Sequence, residues 1–258
     1  MSSFVLKIIA CATMLLDHIG YLMQYYGMGD RALAMLFRTI GRVAFPIFAY
    51  LIVKGFKKTH NIVLYTLRVI VAGLISEVPY DLCFYKSVRY DTSQNVMFTF
   101  AIALIMLVFV DMCVKATRKE VRFFCIFPIA GAYYIAYNLF VDYSGYGILL
   151  VALLYFADGE NFRDRLRTVP VLLLFAARYI LEDVVRGYGI SSWHKTQLYS
   201  ALAIVPILLY SGKKGYTPKG KVGKKVQQYA FYLFYSVHIF VLYLIFSNFA
   251  QIKTFLGF

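Results

Sequence analysis

Asp17 and His18 stand side by side in the run FVLKIIACATMLLDHIGYLMQYY, Phe4 to Tyr26. An acid beside a base can hold, relay or withdraw a proton, yet the rest of this run is apolar and long enough to cross a bilayer. At about 1.5 Å of rise per residue, His18 lies ~21 Å from Phe4, inside a hydrocarbon core of ~30 Å. An ionisable group at that depth costs about 2.5–3.5 kcal/mol on insertion scales, so it needs a partner, a water-filled cavity or a chemical task. Adjacent helical residues do not face each other, so Asp17 does not orient His18 directly. Asp17 can pair with Arg42 or with His238 across a bundle, leaving His18 turned to a cavity; the reverse assignment is equally open.

The elements that must position this pair are membrane helices. Hydrophobic residues make up 61% of the 258, charged residues 16%, and mean hydropathy is +0.66. That leaves too little polar surface to coat a soluble core. Apolar runs at 4–26, 39–56, 61–82, 95–114, 121–141, 145–157, 168–186, 197–211 and 229–250 predict an all-α, polytopic bundle of about nine transmembrane helices. The run at 145–157 is short for a full span. No linker or repeat divides the chain, so 1–258 is read as one domain. The sequence Ala10-Cys11-Ala12 superficially resembles a cleavage site or lipoprotein cysteine, but the apolar stretch before it is short and carries Lys7, so no processing is expected. Cys11, Cys83, Cys113 and Cys125 lack metal-site spacing, and neither a disulfide framework nor a metal is expected.

The formal charge of +14 suggests nucleic acid only for a soluble protein. Here the basic residues sit between apolar runs. One alternating set of connections holds Lys54, Lys57, Lys58, Lys115, Arg118, Lys119, Arg122, Arg163, Arg165, Arg167, Lys213, Lys214, Lys219, Lys221, Lys224 and Lys225; the other, sparser set holds Arg31, Arg38, Lys86, Arg89, Arg186, Lys195 and Lys253. The positive-inside rule places the first set and the N-terminus in the cytoplasm. The rim at Lys57, Lys58, Lys213 and Lys214 suits topology and anionic lipid, with the phosphates of a cytoplasmic donor as a further use.

In that topology Asp17, His18, Arg42, Glu77, Asp81, Asn95, Arg178, Glu182 and Asp183 converge at one level of the outer half, and His238 lies near the midplane. Such convergence builds a salt-bridged seam or a solvated cavity. Arg178, Glu182 and Arg186 have the spacing of an i, i+4 ladder. Glu77 and Asp81 are like charges on one face and need a cation, a proton or water between them. His60 and His194 read as solvated loop residues.

The motifs LKIIACATMLLDHIG (6–20), RTIGRVAFPIFAYLIVKG (38–55), ISEVPYDL (75–82), NVMFTFAIAL (95–104), LLYSGKKG (208–215) and FYSVH (234–238) resemble the TraX family. The resemblance implies an acetyltransferase of the bacterial inner membrane, of which the best-known member N-acetylates F pilin. It is distantly similar to the acyltransferase-3 superfamily and to heparan glucosaminide acetyltransferase, which use cytosolic acyl-CoA on acceptors across the membrane. It implies His18 and Asp17 as leading catalytic candidates, then Arg42, Glu77, Asn95 and His238. Ser236 stands where the family pattern places Pro.

The expected function is therefore transfer of an acyl group, acetyl from acetyl-CoA foremost, to an amine or hydroxyl of a protein or glycan at the outer face. His18 would be the base, and Arg42 and Asn95 oxyanion or carboxylate contacts. Lys57, Lys58, Lys213 and Lys214 would meet the donor. Membrane lipids are the other expected partners, and nucleic acid is not one. The rival readings are a proton-coupled transporter and a non-catalytic subunit of pilus or envelope assembly. The topology has a direct check: in intact cells, tags near residues 57, 119 and 219 should be shielded from external reagents and a tag near residue 90 labelled. Labelling at 219 would overturn it.

Overall fold

The structure is a computed structural model that describes residues 1–256. It is all-helical: α1 Ser3–Tyr25, α2 Arg31–Gly41, α3 Ala44–Lys58, α4 Ile62–Tyr85, α5 Val96–Lys115, α6 Ile126–Asn138, α7 Ser144–Ala157, α8 Phe162–Arg165, α9 Thr168–Val185, α10 Ser192–Gln197, α11 Ile204–Leu208 and α12 Gly220–Leu256. Short polar side chains start many of them. Ser2, Asp30, Asn61, Asn95, Asn161 and Ser191 each accept a bond from a first-turn N–H of α1, α2, α4, α5, α8 and α10.

Among the described residues five stretches are long and apolar enough to cross a membrane: Ser3–Tyr25, Arg31–Lys58, Ile62–Tyr85, Val96–Lys115 and Gly220–Phe249, with Ser144–Ala157 a shorter apolar helix. The nine runs of the sequence therefore differ in kind. The run at 121–141 opens as a 3-10 turn, Lys119–Cys125, before the 13-residue α6. The run at 197–211 is no single helix: it divides between the end of α10, a 3-10 segment Leu198–Ala203 and the five-residue α11. Pro206 lies in α11 and has no N–H to bond back one turn, which limits a continuous helix there. The second run begins earlier than its apolar residues, because α2 carries it back to Arg31. Pro46, in the first turn of α3, likewise leaves the Arg42 carbonyl without its usual donor, and the chain turns at Arg42–Val43.

The core runs along α3, α5 and α7. Ile47, Ala49, Tyr50 and Val53 of α3, Ala103, Leu104 and Leu107 of α5, and Ile148, Val151 and Leu154 of α7 are fully buried. Around this centre α1 packs on α2 and α3, α12 on α4 and α1, and α9 on α7.

Contacts among connections gather several of them at one end. There Ser211 N–H donates to the Met1 carbonyl, Ser3 N–H to the Lys213 carbonyl, and Lys58 Nζ to the Gly212 carbonyl. Lys54 and Lys57 pair there with Asp158 at 2.6 and 3.2 Å. The N-terminus and three of the basic connections thus share an end. Arg38, counted above among connections of the sparse side, is instead a buried helical residue, which leaves that side sparser still.

Two glycines let α1 and α2 approach. A Cβ on Gly20 would stand 2.6 Å from the Ala34 carbonyl oxygen, and one on Gly41 would collide with the Asp17 side chain. Gly41→Ala should therefore lower thermal stability by about 1–3 kcal/mol equivalent. Gly131→Ala, where an added Cβ meets nothing within 4 Å, should be neutral in the same assay.

Candidate functional site

The close approach of α1 and α2 sets one carboxylate between two guanidiniums. Asp17 Oδ2 accepts from Arg38 Nη1 at 2.8 Å and from Arg42 Nη2. All three side chains are buried. Arg42 Nε–H donates to the Arg38 carbonyl at 3.3 Å, which fixes its guanidinium at the end of α2. Stripping a buried pair of one partner costs about 3–5 kcal/mol, so these three residues stand or fall together.

One position further along α1, His18 meets His238 of α12. His18 Nδ1 and His238 Nε2 are 2.8 Å apart. The ring planes are parallel within 1° and the centroids lie 5.0 Å apart. That centroid separation equals an N···N contact plus two ring radii, so the rings meet edge to edge in one plane. The tautomers follow from the outer partner. His238 Nδ1 lies 2.6 Å from the Phe234 carbonyl, which only accepts, so Nδ1 carries the hydrogen. In the neutral ring Nε2 is then an acceptor, and His18 Nδ1–H donates to it. His18 Nε2 is left with a lone pair and no partner among the described residues, on a side chain that lines a cavity.

This cavity has a volume of about 220 Å³. Pockets that enclose drug-sized ligands run to ~300–1,000 Å³, so it has room for a reacting group and its surroundings and not for a whole nucleotide-bearing donor. Asp17, Arg38, Arg42, Asp142 and Arg178 bring the charge, His18 an imidazole, and Tyr21, Tyr80, Tyr143, Tyr179 and Tyr235 are among the rings that line it. Three guanidiniums face two carboxylates. The positive excess suits an oxyanion.

The segment before α7 closes one side under backbone strain. Phe140, Tyr143 and Ser144 adopt positive φ of 52°, 60° and 46°, a region costly for side chains with a Cβ. It is pinned by Gln94, whose N–H donates to the Phe140 carbonyl and whose carbonyl accepts from Asp142 N–H. The Tyr143 ring stacks on Phe45 with centroids 3.6 Å apart. Asp142 is thereby held toward Arg42, yet burial outweighs that attraction and pushes its carboxyl up to about 6.

The family profile described as TraX protein matches residues 2–246. The chain belongs to the TraX family. A relative named "Probable fimbrial assembly protein FimC, serogroup H1", from Dichelobacter nodosus, is 28% identical over 253 residues, covering 93% of this chain and 94% of its own. No solved structure matches.

In this TraX-family chain the structure brings Asp17, His18, Arg42 and His238 together, but with partners the sequence did not settle. Asp17 takes Arg42, as one alternative held, and adds Arg38; His238 goes to His18. Glu77 and Asn95 meet each other, apart from the cavity lining. Asn95 Oδ1 caps α5, and its Nδ2 donates to the Gly73 carbonyl at 2.9 Å and to the Glu77 carboxylate. They bracket α4 to α5. Asp81, which shares a helix face with Glu77 as a like charge, also accepts from Tyr90 N–H at 2.8 Å. Lys57 is held by Asp158 and the Tyr155 carbonyl, and Lys58 by Gly212 and Tyr210, while Lys213 and Lys214 are exposed.

Two further readings change. Glu182 pairs with Arg186 at 2.7 Å, but Arg178 leaves that ladder and turns to the cavity, over the rings of Phe175 and Tyr179. His194 is no solvated loop residue: its Nδ1 lies 2.5 Å from Asp183, and its ring stacks on Tyr179. Arg38, Asp142, Tyr143, Tyr179 and Gln197 also line the cavity, beyond the candidates named from the sequence. Arg38 lies in the quoted motif at 38–55 and repeats at i, i+4 with Arg42; the others carry no local signal.

A group whose folded pKa is raised destabilises the fold as pH climbs from its ordinary value to the raised one. Asp142 therefore contributes a loss of stability between about pH 4 and about 6, complete at pH 7. Asp142→Asn, which keeps an acceptor for Tyr143 N–H, should flatten that part of the melting-temperature profile and raise the melting temperature at pH 7.

Proposed function

We propose that this protein is an integral membrane acyltransferase that moves an acyl group, acetyl from acetyl-CoA foremost, onto an amine or hydroxyl. The observation that carries the reading is that His18 Nε2 has no partner among the described residues, on a ring held by His238 that lines a cavity with guanidiniums alongside. His18 Nε2 withdraws the proton as the acceptor nitrogen or oxygen attacks the thioester carbonyl. The imidazolium that forms is stabilised through its Nδ1–H by His238 Nε2, the role a buried acceptor plays for a base of this kind. The tetrahedral oxyanion develops beside Arg42 and Arg178. On collapse the carbon–sulfur bond breaks, and His18 returns its proton to the departing thiolate, so acyl group, proton and electrons balance. Asp17 holds Arg38 and Arg42 in place and takes no proton.

The topology belongs to the same proposal: nine apolar runs, N-terminus and basic connections cytoplasmic, in a bacterial inner membrane. The small cavity supports entry of the thioester end alone, with the rest of the donor outside it. The acceptor would be a pilus subunit or envelope glycan on the far side. A second reading, a non-catalytic assembly subunit, is favoured by the name of the Dichelobacter nodosus relative.

The discriminating assay is release of free CoA from acetyl-CoA by purified protein, with and without a peptide amine. His18→Ala should lower kcat by about 10²-fold or more while the protein still inserts and folds. His238→Gln, which keeps an acceptor for His18 Nδ1–H, should retain more activity than His238→Ala. Acceptor-independent background turnover, unchanged in His18→Ala, would favour the assembly reading.

A further inference from the structure

A second concavity lies away from the histidines, between α4 and α12. It measures about 360 Å³ and is lined by Leu64, Leu67, Arg68, Val71, Ala72 and Ile75 on one side and Tyr229, Tyr232, Leu233 and Ser236 on the other. On α4 these positions step by three and four, and so do those on α12. Each set is thus one stripe along its helix. The floor is fastened by Ser76 and Ser236, whose hydroxyls are 2.6 Å apart, and by buried Ala72. Leu64, Leu67, Val71 and Ile75 stay well exposed.

One charge interrupts this apolar lining. Arg68 is half-buried, forms no salt bridge among the described residues, and its Nε is covered without a hydrogen-bond partner. A guanidinium in an apolar groove without a counter-ion is costly unless an anion arrives from outside. One turn before Tyr229, on the same stripe, stands exposed Lys225, with Lys221 and Lys224 nearby in sequence. The basic groups therefore lie toward the α4 N-terminal part of the groove, and an apolar lining of Val71, Ala72, Ile75 and Leu233 continues beyond Arg68. From Arg68 to Ile75 this lining runs about 10 Å along the helix, within one half of a ~30 Å hydrocarbon core.

We infer that the groove is a binding site for one anionic phospholipid, its phosphate on Arg68 and Lys225 and an acyl chain along Val71, Ile75 and Leu233. The charge argument selects the anionic headgroup, because an uncharged or zwitterionic lipid leaves the guanidinium uncompensated. The apolar lining beyond Arg68 suits a hydrocarbon chain attached to that headgroup. The site is independent of the acyl-transfer reading, since it uses neither histidine nor the Asp17 cluster.

The test is lipid retention by the full chain, purified from vesicles of equal phosphatidylglycerol and phosphatidylcholine and measured by native mass spectrometry. Wild type should keep one phosphatidylglycerol in preference to phosphatidylcholine. Arg68→Gln should reduce that retention about fivefold or more. Val71→Trp, at an exposed lining position, should fill the groove and reduce it without altering the Arg68 charge. His18→Ala should retain the lipid as wild type does. Equal retention of both lipids by wild type, or loss of phosphatidylglycerol in neither groove variant, would overturn the site. Displacement of the lipid by inorganic phosphate alone would also overturn it, by assigning the site to a free anion.

Discussion

Everything at the site depends on one carboxylate shared by two arginines. Asp17 is buried on α1, and Arg38 and Arg42 reach it from successive turns of the α2 end. The arrangement compensates charges that the membrane interior would otherwise exclude, and it does so with a surplus of one cation. That surplus has a structural cost and a chemical use. It forces α1 and α2 into contact at Gly20 and Gly41, and it leaves positive potential where an oxyanion can form. The same contact fixes the face of α1, so that His18, one residue on, reaches His238 of α12.

The second constraint is the interrupted backbone around the cavity. Pro46 breaks the second apolar stretch at Arg42, and the segment Phe140–Ser144 holds three left-handed residues in place by pairing with Gln94. Irregular backbone in a helical membrane bundle is tolerated where it is buried in protein or lines a cavity. Both interruptions border the same cavity. They allow side chains to enter from the break between two helices and from a loop, directions that an unbroken helix would deny.

Much of this was legible in the sequence because membrane insertion makes buried charge conspicuous. Asp17, His18, Arg42 and His238 stand out in apolar runs for that reason, and the all-helical class follows from the same runs. Arg38 was hidden by its position. It precedes the apolar stretch and counts as a connection residue until α2 is seen to begin at Arg31. Asp142 and Tyr143 carry no periodic signal, since their placement comes from a long-range pairing with Gln94. Asn95 reads as a buried polar group, yet its atoms are consumed in capping α5 and holding Glu77. Arg178 has the spacing of a surface ladder, and only the ring faces of Phe175 and Tyr179 show why it turns inward. Spacing reveals which helical neighbours can meet; it does not reveal which neighbour a side chain chooses across the bundle.

The central claim is that His18 is a neutral imidazole with its hydrogen on Nδ1 and its lone pair on Nε2, set by the chain from Phe234 through His238. Nitrogen-15 magnetic resonance of histidine-labelled protein in bilayers reports this directly, because the chain has four histidines and a His18→Gln sample assigns the signal. The account predicts a protonated Nδ1 and an unprotonated Nε2 for His18, a protonated Nδ1 for His238, and loss of the His18 tautomer preference in His238→Ala. A His18 ring protonated on Nε2 in the wild type, or one indifferent to removal of His238, would contradict it.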